Sequence, residues 1–161
     1  MRAVVGTFTF RSVLPLLLAG IAALAAPPSA DAAKRTFTIL AVEPKGGTTT
    51  DKEPFPTEAL PAGGGYVVKQ PDQSGRWEVS GYVWQPSQIV VSEGDEVTLE
   101  FVGINGREHP TTLSAFGQTF TVKRGQLTRI TFVAAKAGVF GFVCSTHRPS
   151  MTGELIVLPK Q

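Results

Sequence analysis

Sulfur and imidazole are scarce in this chain. Its 161 residues include one cysteine, two methionines and two histidines, and one of the methionines is Met1. A single cysteine excludes a disulfide within the chain, so Cys144 is a free thiol, an intermolecular bridge or a ligand. Charge is also sparse. Only 17% of residues are charged and the formal net charge is +2, without the basic face that a nucleic-acid partner requires. No internal repeat is visible, and no segment sustains the i, i+3, i+4 apolar spacing of a long amphipathic helix. Gly63-Gly64-Gly65 has no following Lys-Ser/Thr pair, which excludes a phosphate loop.

What is present begins with a leader pattern. Arg2 and Arg11 precede the apolar run from Val13 to Ala26, and Ala30-Asp31-Ala32 has the small-x-small form of a cleavage site. The run is shorter than the roughly 20 residues a bilayer span needs, and Pro15 interrupts it. Residues 1–32 therefore read as a secretory signal peptide, with an uncleaved anchor as the alternative. Residues 33–161 remain as one domain with a core of its own. Losing Arg2, Arg11 and Asp31 lowers the net charge from +2 to +1. No mature segment is long and apolar enough to span a membrane, so the expected location is periplasmic or secreted.

Short runs with alternating polarity fill the mature part. Strands are expected at Thr36–Val42, Arg76–Trp84, Gln88–Val91, Val97–Phe101, Thr119–Val122, Thr128–Val133, Val139–Cys144 and Gly153–Leu158. Turn residues such as Glu93-Gly94-Asp95 and Lys136-Ala137-Gly138 separate them. The pattern predicts an all-β, antiparallel sandwich or small barrel. Residues 44–75, rich in proline and glycine, read as a long surface loop or as an arm packing on a neighbouring subunit.

The scarce residues cluster. Cys144, His147 and Met151 form C-x2-H-x3-M, and His109 lies upstream in what reads as a polar turn, Gly103–Pro110. Two imidazoles, a thiolate and a thioether are the donor set of a trigonal copper site with a weak axial methionine. Sulfur favours Cu(I) and imidazole suits both oxidation states, so this mixture lets one ion change charge with little rearrangement. Phe140, Phe142 and Cys144 share one strand face, which places the thiol inward at a strand end. Glu108 adjoins His109 but reads as a solvated turn residue. Tyr82 and Trp84, spaced by two, read as core packing, with shielding of the site as a minor alternative.

Over nearly the whole mature part the chain resembles the cupredoxins, most strongly from about Ser92 to Leu158. The features that carry the likeness are Glu93-Gly94-Asp95 before a strand, Ser114-Ala115-Phe116-Gly117, Ala135-Lys136-Ala137-Gly138-Val139-Phe140 before the ligand strand, and the C-x2-H loop. Within that superfamily it is similar to nitrosocyanin-like proteins. The resemblance implies a Greek-key β-sandwich with one copper ion at one end. Nitrosocyanin carries a glutamate where this chain has His109, and a further histidine roughly where it has Met151. The set His109, Cys144, His147 and Met151 is instead that of the blue electron-transfer members. Pro110 follows the first histidine where those proteins often place a bracing asparagine, and proline has no N–H to donate.

The expected function is a one-electron carrier between redox partner proteins. The alternatives are a nitrosocyanin-like copper oxidoreductase with an open site for a small ligand, and a periplasmic copper-handling protein. The nitrosocyanin likeness and the 44–75 segment leave a homo-oligomer open. No acid–base pair or nucleophile triad is visible in the mature chain.

Overall fold

The structure is a computed structural model, and it describes residues 32–59 and 63–160. The leader reading covers residues 1–32, of which 1–31 lie outside the described residues. The described chain forms strands β1 (Lys34–Val42), β2 (Lys45–Thr49), β3 (Tyr66–Lys69), β4 (Arg76–Gly81), β5 (Val83–Gln85) and β6 (Gln88–Ser92). It continues with β7 (Glu96–Gly103), β8 (Glu108–Leu113), β9 (Gln118–Lys123), β10 (Leu127–Val133), β11 (Gly138–Cys144) and β12 (Thr152–Leu158). One 3-10 turn, Ser114–Phe116, interrupts them. None of the described helices is long and apolar enough to cross a membrane.

The strands form two main sheets, ordered β10-β7-β1-β5 and β6-β12-β11-β8-β9. Most neighbours are antiparallel, but β1 runs parallel to β7 and β12 parallel to β6. Inward residues at every second position pack the sheets together, as in β7, where Val97, Leu99 and Phe101 are fully buried. Trp84, Phe101 and Phe142 meet at the centre, with ring centroids 5.2–6.2 Å apart. That is the range in which edge-to-face and tilted aromatic pairs attract.

The parallel pair β1/β7 gives the sandwich two distinct ends. At one end the turn between β6 and β7 buries Asp95, whose carboxylate accepts bonds from the Ser92 and Ala33 N–H groups and from Arg35. The Ser92 N–H does most to hold that carboxyl below the usual range. Burial opposes it, and the Ala33 N–H and Arg35 support it. The stability it contributes is present at neutral pH and lost as pH falls through the lowered value. At the other end Ile104 and Asn105 donate N–H bonds to Ala41.

Three expectations need correction. Residues 44–75 are not simply a loop, because β2 and β3 lie within them and flank β4 in a third sheet ordered β2-β4-β3. The glycines of β2 had lowered its strand signal, yet ladder bonds to β4 hold Lys45–Thr49 extended. The single strand expected at Arg76–Trp84 is two strands, β4 and β5. Tyr82 is the joint between them, and they belong to different sheets. His109 is not in a turn. It lies in β8, fully buried, opposite Val122 of β9.

Phe142 should be a stability anchor, since its ring is fully buried against two other aromatics. Truncation to alanine is expected to cost about 3–5 kcal/mol in urea unfolding. A loss below about 1 kcal/mol would mean that the two sheets do not depend on this contact.

Candidate metal centre

Register alone brings two of the four expected residues together, His109 and Cys144. Cys144 is the last residue of β11 and its backbone partner on β8 is Thr111. His109 is two residues from Thr111 and so shares its face. Cys144, Thr111 and His109 are all buried. The loop after β11 then turns back. The Cys144 N–H donates to Met151 O at 3.1 Å, and the Met151 N–H donates to His147 O at 2.9 Å. These bonds close a tight loop that suspends His147 above Cys144.

The donor atoms of His109, Cys144 and His147 all lie within 4.8 Å of one another. Cys144 Sγ is 4.0 Å from His109 Nδ1 and 3.6 Å from His147 Nδ1, and the two Nδ1 atoms are 3.2 Å apart. A first-row ion bound at about 2.3 Å from sulfur and about 2.0 Å from nitrogen would set these separations near roughly 3.6 Å and 3.2 Å. The cluster therefore has the size of a coordination sphere. Soft thiolate beside two imidazoles is the chemistry that suits copper.

One hydrogen bond fixes the tautomer of His109. Its Nε2 lies 2.8 Å from the Asn105 backbone oxygen, which can only accept, so Nε2 carries the proton. The Nδ1 lone pair is then left facing Cys144 and His147. Asn105 is itself pinned, donating its N–H to Ala41 O and accepting the Glu43 N–H at Oδ1. It thus supplies the bracing that Pro110 cannot give from its own position. Thr111 adds a bond from its hydroxyl to His109 O. Gly106 closes the other flank at φ 73°, where a β-carbon would stand 2.7 Å from His109 Cε1. Only glycine satisfies both the backbone and the ring there.

His147 is held neutral. Burial first, and then the neighbouring His109, push its imidazole below the ordinary value, with Glu43 opposing them. Neutral imidazole is the form that binds a metal. The ring of Tyr82 lies over His147 with centroids 4.1 Å apart and also sits 5.4 Å from His109. Burial, followed by the charge of Glu43 and a hydrogen bond to it, raises the Tyr82 phenol above its usual range, so it stays protonated. Trp84 is buried with its ring 5.9 Å from His109. Both aromatics therefore line the site, which spacing within a single strand could not reveal.

Met151 is fully buried in the same core cluster as Cys144. Glu108 is not part of the donor group and pairs with Arg107 at 3.2 Å. The third sheet also touches the site. The Ser150 hydroxyl lies 2.9 Å from Gly65 O and 3.0 Å from His147 O and shares its one proton between these two acceptors, and a β-carbon on Gly65 would collide with Ser150 Oγ.

A family model described as a cupredoxin-like domain matches residues 61–157. The chain belongs to the cupredoxin-like family. No curated protein matches its sequence. Among solved structures, it resembles a copper nitrite reductase from Nitrosomonas europaea with a TM-score of 0.51 and 20% identity, covering 78% of this cupredoxin and 42% of that chain. It also resembles the multicopper oxidase mgLAC with a TM-score of 0.53 and 17% identity, covering 80% and 40%. The cupredoxin thus spans about two fifths of those proteins, and at these identities the likeness is one of fold.

Asn105 is the residue the sequence reading missed. The available signal was an asparagine in a turn four positions before a histidine. Its replacement by alanine should loosen the turn and lower copper affinity by about 10-fold in a chelator competition. An unchanged affinity would show that His109 needs no such support.

Proposed function

We propose that this cupredoxin is an exported carrier of single electrons, with His109, Cys144, His147 and Met151 as the ligands of one copper ion. The observation that supports it best is the convergence of two imidazole nitrogens and a thiol in a space sized for one ion. When bound, copper supplies a Cu(II)/Cu(I) couple whose two states both tolerate this mixed donor set. The protein's part is to hold the donors still. Asn105 orients His109, the closed loop 144–151 orients Cys144 and His147, and buried Met151 presents a thioether from the same loop.

Access supports the same reading. His109 and Cys144 are buried, whereas His147 is half-buried beside a shallow cavity of about 250 Å³ lined by Tyr82, Gly106, Arg107, Glu108, Thr146 and His147. The imidazole of His147 is then the shortest route for an electron between the site and a docked protein. The side chains around it are mainly basic, with Glu108, paired to Arg107, as the acid in the cavity lining. Arg107 and Arg148 are exposed, and Arg124 bonds to Gly106 O. An anionic partner would be drawn to this end.

The oxidoreductase alternative needs a coordination position open to a small molecule, and Tyr82 and Gly106 crowd both imidazoles. Storage or transfer of copper would fit a methionine- or histidine-rich tract better than this buried set.

The cupric protein is expected to show an intense thiolate-to-copper visible band, lost in Cys144→Ser and unchanged by azide. A colourless protein would overturn the copper reading, and a band shifted by azide would favour the oxidoreductase. Electron exchange with ferricyanide should slow as salt rises and fall several-fold in Arg148→Glu. Salt-independent exchange in both proteins would remove the basic docking end.

A further inference from the structure

The end of the sandwich opposite the metal centre carries a second feature, and it concerns how the chain is processed. Asp95 is 1% exposed and accepts three hydrogen bonds. Its Oδ2 takes the Ser92 N–H at 2.9 Å and Arg35 Nε at 2.6 Å. Its Oδ1 takes one donor, the backbone nitrogen of Ala33, at 2.9 Å. Ala33 O in turn accepts the Glu96 N–H at 2.9 Å, so this residue is clamped from both sides just before β1 begins. The compensation for Asp95 is thin. Its one cationic partner, Arg35, has a side chain that is 46% exposed.

Ala33 is also the residue that follows the small-x-small sequence Ala30-Asp31-Ala32. Cleavage after Ala32 would turn the Ala33 backbone N–H into a terminal ammonium at the position of that nitrogen. We infer that Ala32–Ala33 is the processing site, and that the α-ammonium it releases becomes the ion-pair partner of the buried Asp95 carboxylate, locking the mature fold. The inference rests on the exported reading of the chain. A charge-assisted bond is roughly twice as strong as a neutral one, so the same geometry holds more tightly after cleavage than before.

The surrounding charges are consistent with the pairing. On β1 they are Lys34 and Arg35, on the β6–β7 turn and the start of β7 they are Glu93, Asp95 and Glu96, and the neighbouring segments carry Lys136 and Lys160. Lys34 pairs with Glu96 at 3.6 Å, and Glu93 accepts the Lys160 N–H at 3.5 Å. Asp95 is the acid bonded to the Ala33 nitrogen. Such an amine titrates above the free-terminus value of about 8. Its contribution is therefore full below pH of about 8 and lost as pH rises through the higher folded value.

The test uses the full-length chain expressed in a bacterial host that exports it, with mass spectrometry of the N-terminal peptide. A product beginning at Ala33 is expected. A product beginning elsewhere overturns this inference alone, and a chain that keeps its first residues overturns the export reading as well. The exported protein is then compared with a variant carrying one extra alanine between Ala32 and Ala33, its N-terminus verified likewise. The insertion leaves the Ala33 N–H bond intact but moves the ammonium out of reach of Asp95. Its melting temperature should fall by roughly 3–6 °C at pH 7, and the gap should close at alkaline pH. Equal melting temperatures at pH 7 would overturn the lock. In the Asp95→Asn background the gap should vanish, and a gap of the same size there would also overturn it. Should Asp95→Asn fail to fold, NMR titration of the Ala33 amine in the unaltered protein decides. A midpoint at or below about 8 refutes the pairing.

Discussion

The metal centre depends on a hydrogen bond between an imidazole and a carbonyl that cannot donate. Because Asn105 O only accepts, His109 must hold its proton on Nε2 and present a lone pair at Nδ1. Without that bond, His109 Nδ1 could carry the proton, and the 3.2 Å contact with His147 would be an ordinary hydrogen bond between two rings. With it, both imidazoles and Cys144 address the same small volume. Burial of His109 makes the choice firm, since a second tautomer would leave Asn105 O and Nε2 unsatisfied away from water.

That turn is in place because of the sandwich beneath it. β1 and β7 run parallel, and at the end of the pair Ala41 O accepts the N–H groups of Ile104 and Asn105. The opposite end of the same pair is tied by Asp95 to Ser92, Ala33 and Arg35. One strand pair thus spans from an acid that organises the chain's entry to the turn whose carbonyl orients His109. The aromatic cluster of Trp84, Phe101 and Phe142 lies between the two ends and joins both sheets.

The sequence was most informative where chemistry is rare. Two histidines and a cysteine confined to residues 109–147 identified the cluster, and strand alternation at Phe140, Phe142 and Cys144 placed the thiol inward. Most strands were legible for the same reason, since their inward positions are apolar at every second residue. Three features were not. His109 looked like a turn residue because its neighbours Arg107, Glu108 and Pro110 are polar or strand-breaking, whereas pairing with β9 and burial decide its conformation. Asn105 gave only the weak sign of an asparagine four residues before a histidine, because the atom that acts is a backbone oxygen, common to every residue. The third sheet was hidden by glycines in β2, whose extended form comes from ladder bonds to β4 and not from local propensity.

That third sheet bears on what the metal loop can do. Gly65 precedes β3, and its carbonyl receives the Ser150 hydroxyl, which also reaches His147 O. Tyr82, at the joint leaving β4, spreads its ring over His147 while its hydroxyl engages Glu43 just before β2. The ligand loop is therefore held from below by β11 and from the side by an element that lies outside the two main sheets. A loop fixed on two sides resists the ligand movement that would accompany a change in ionic charge, and small rearrangement favours rapid electron exchange. An open catalytic position asks for the opposite, a ligand free to yield. These contacts at Gly65 and Tyr82 thus support the proposed carrier over the oxidoreductase on grounds separate from the donor set.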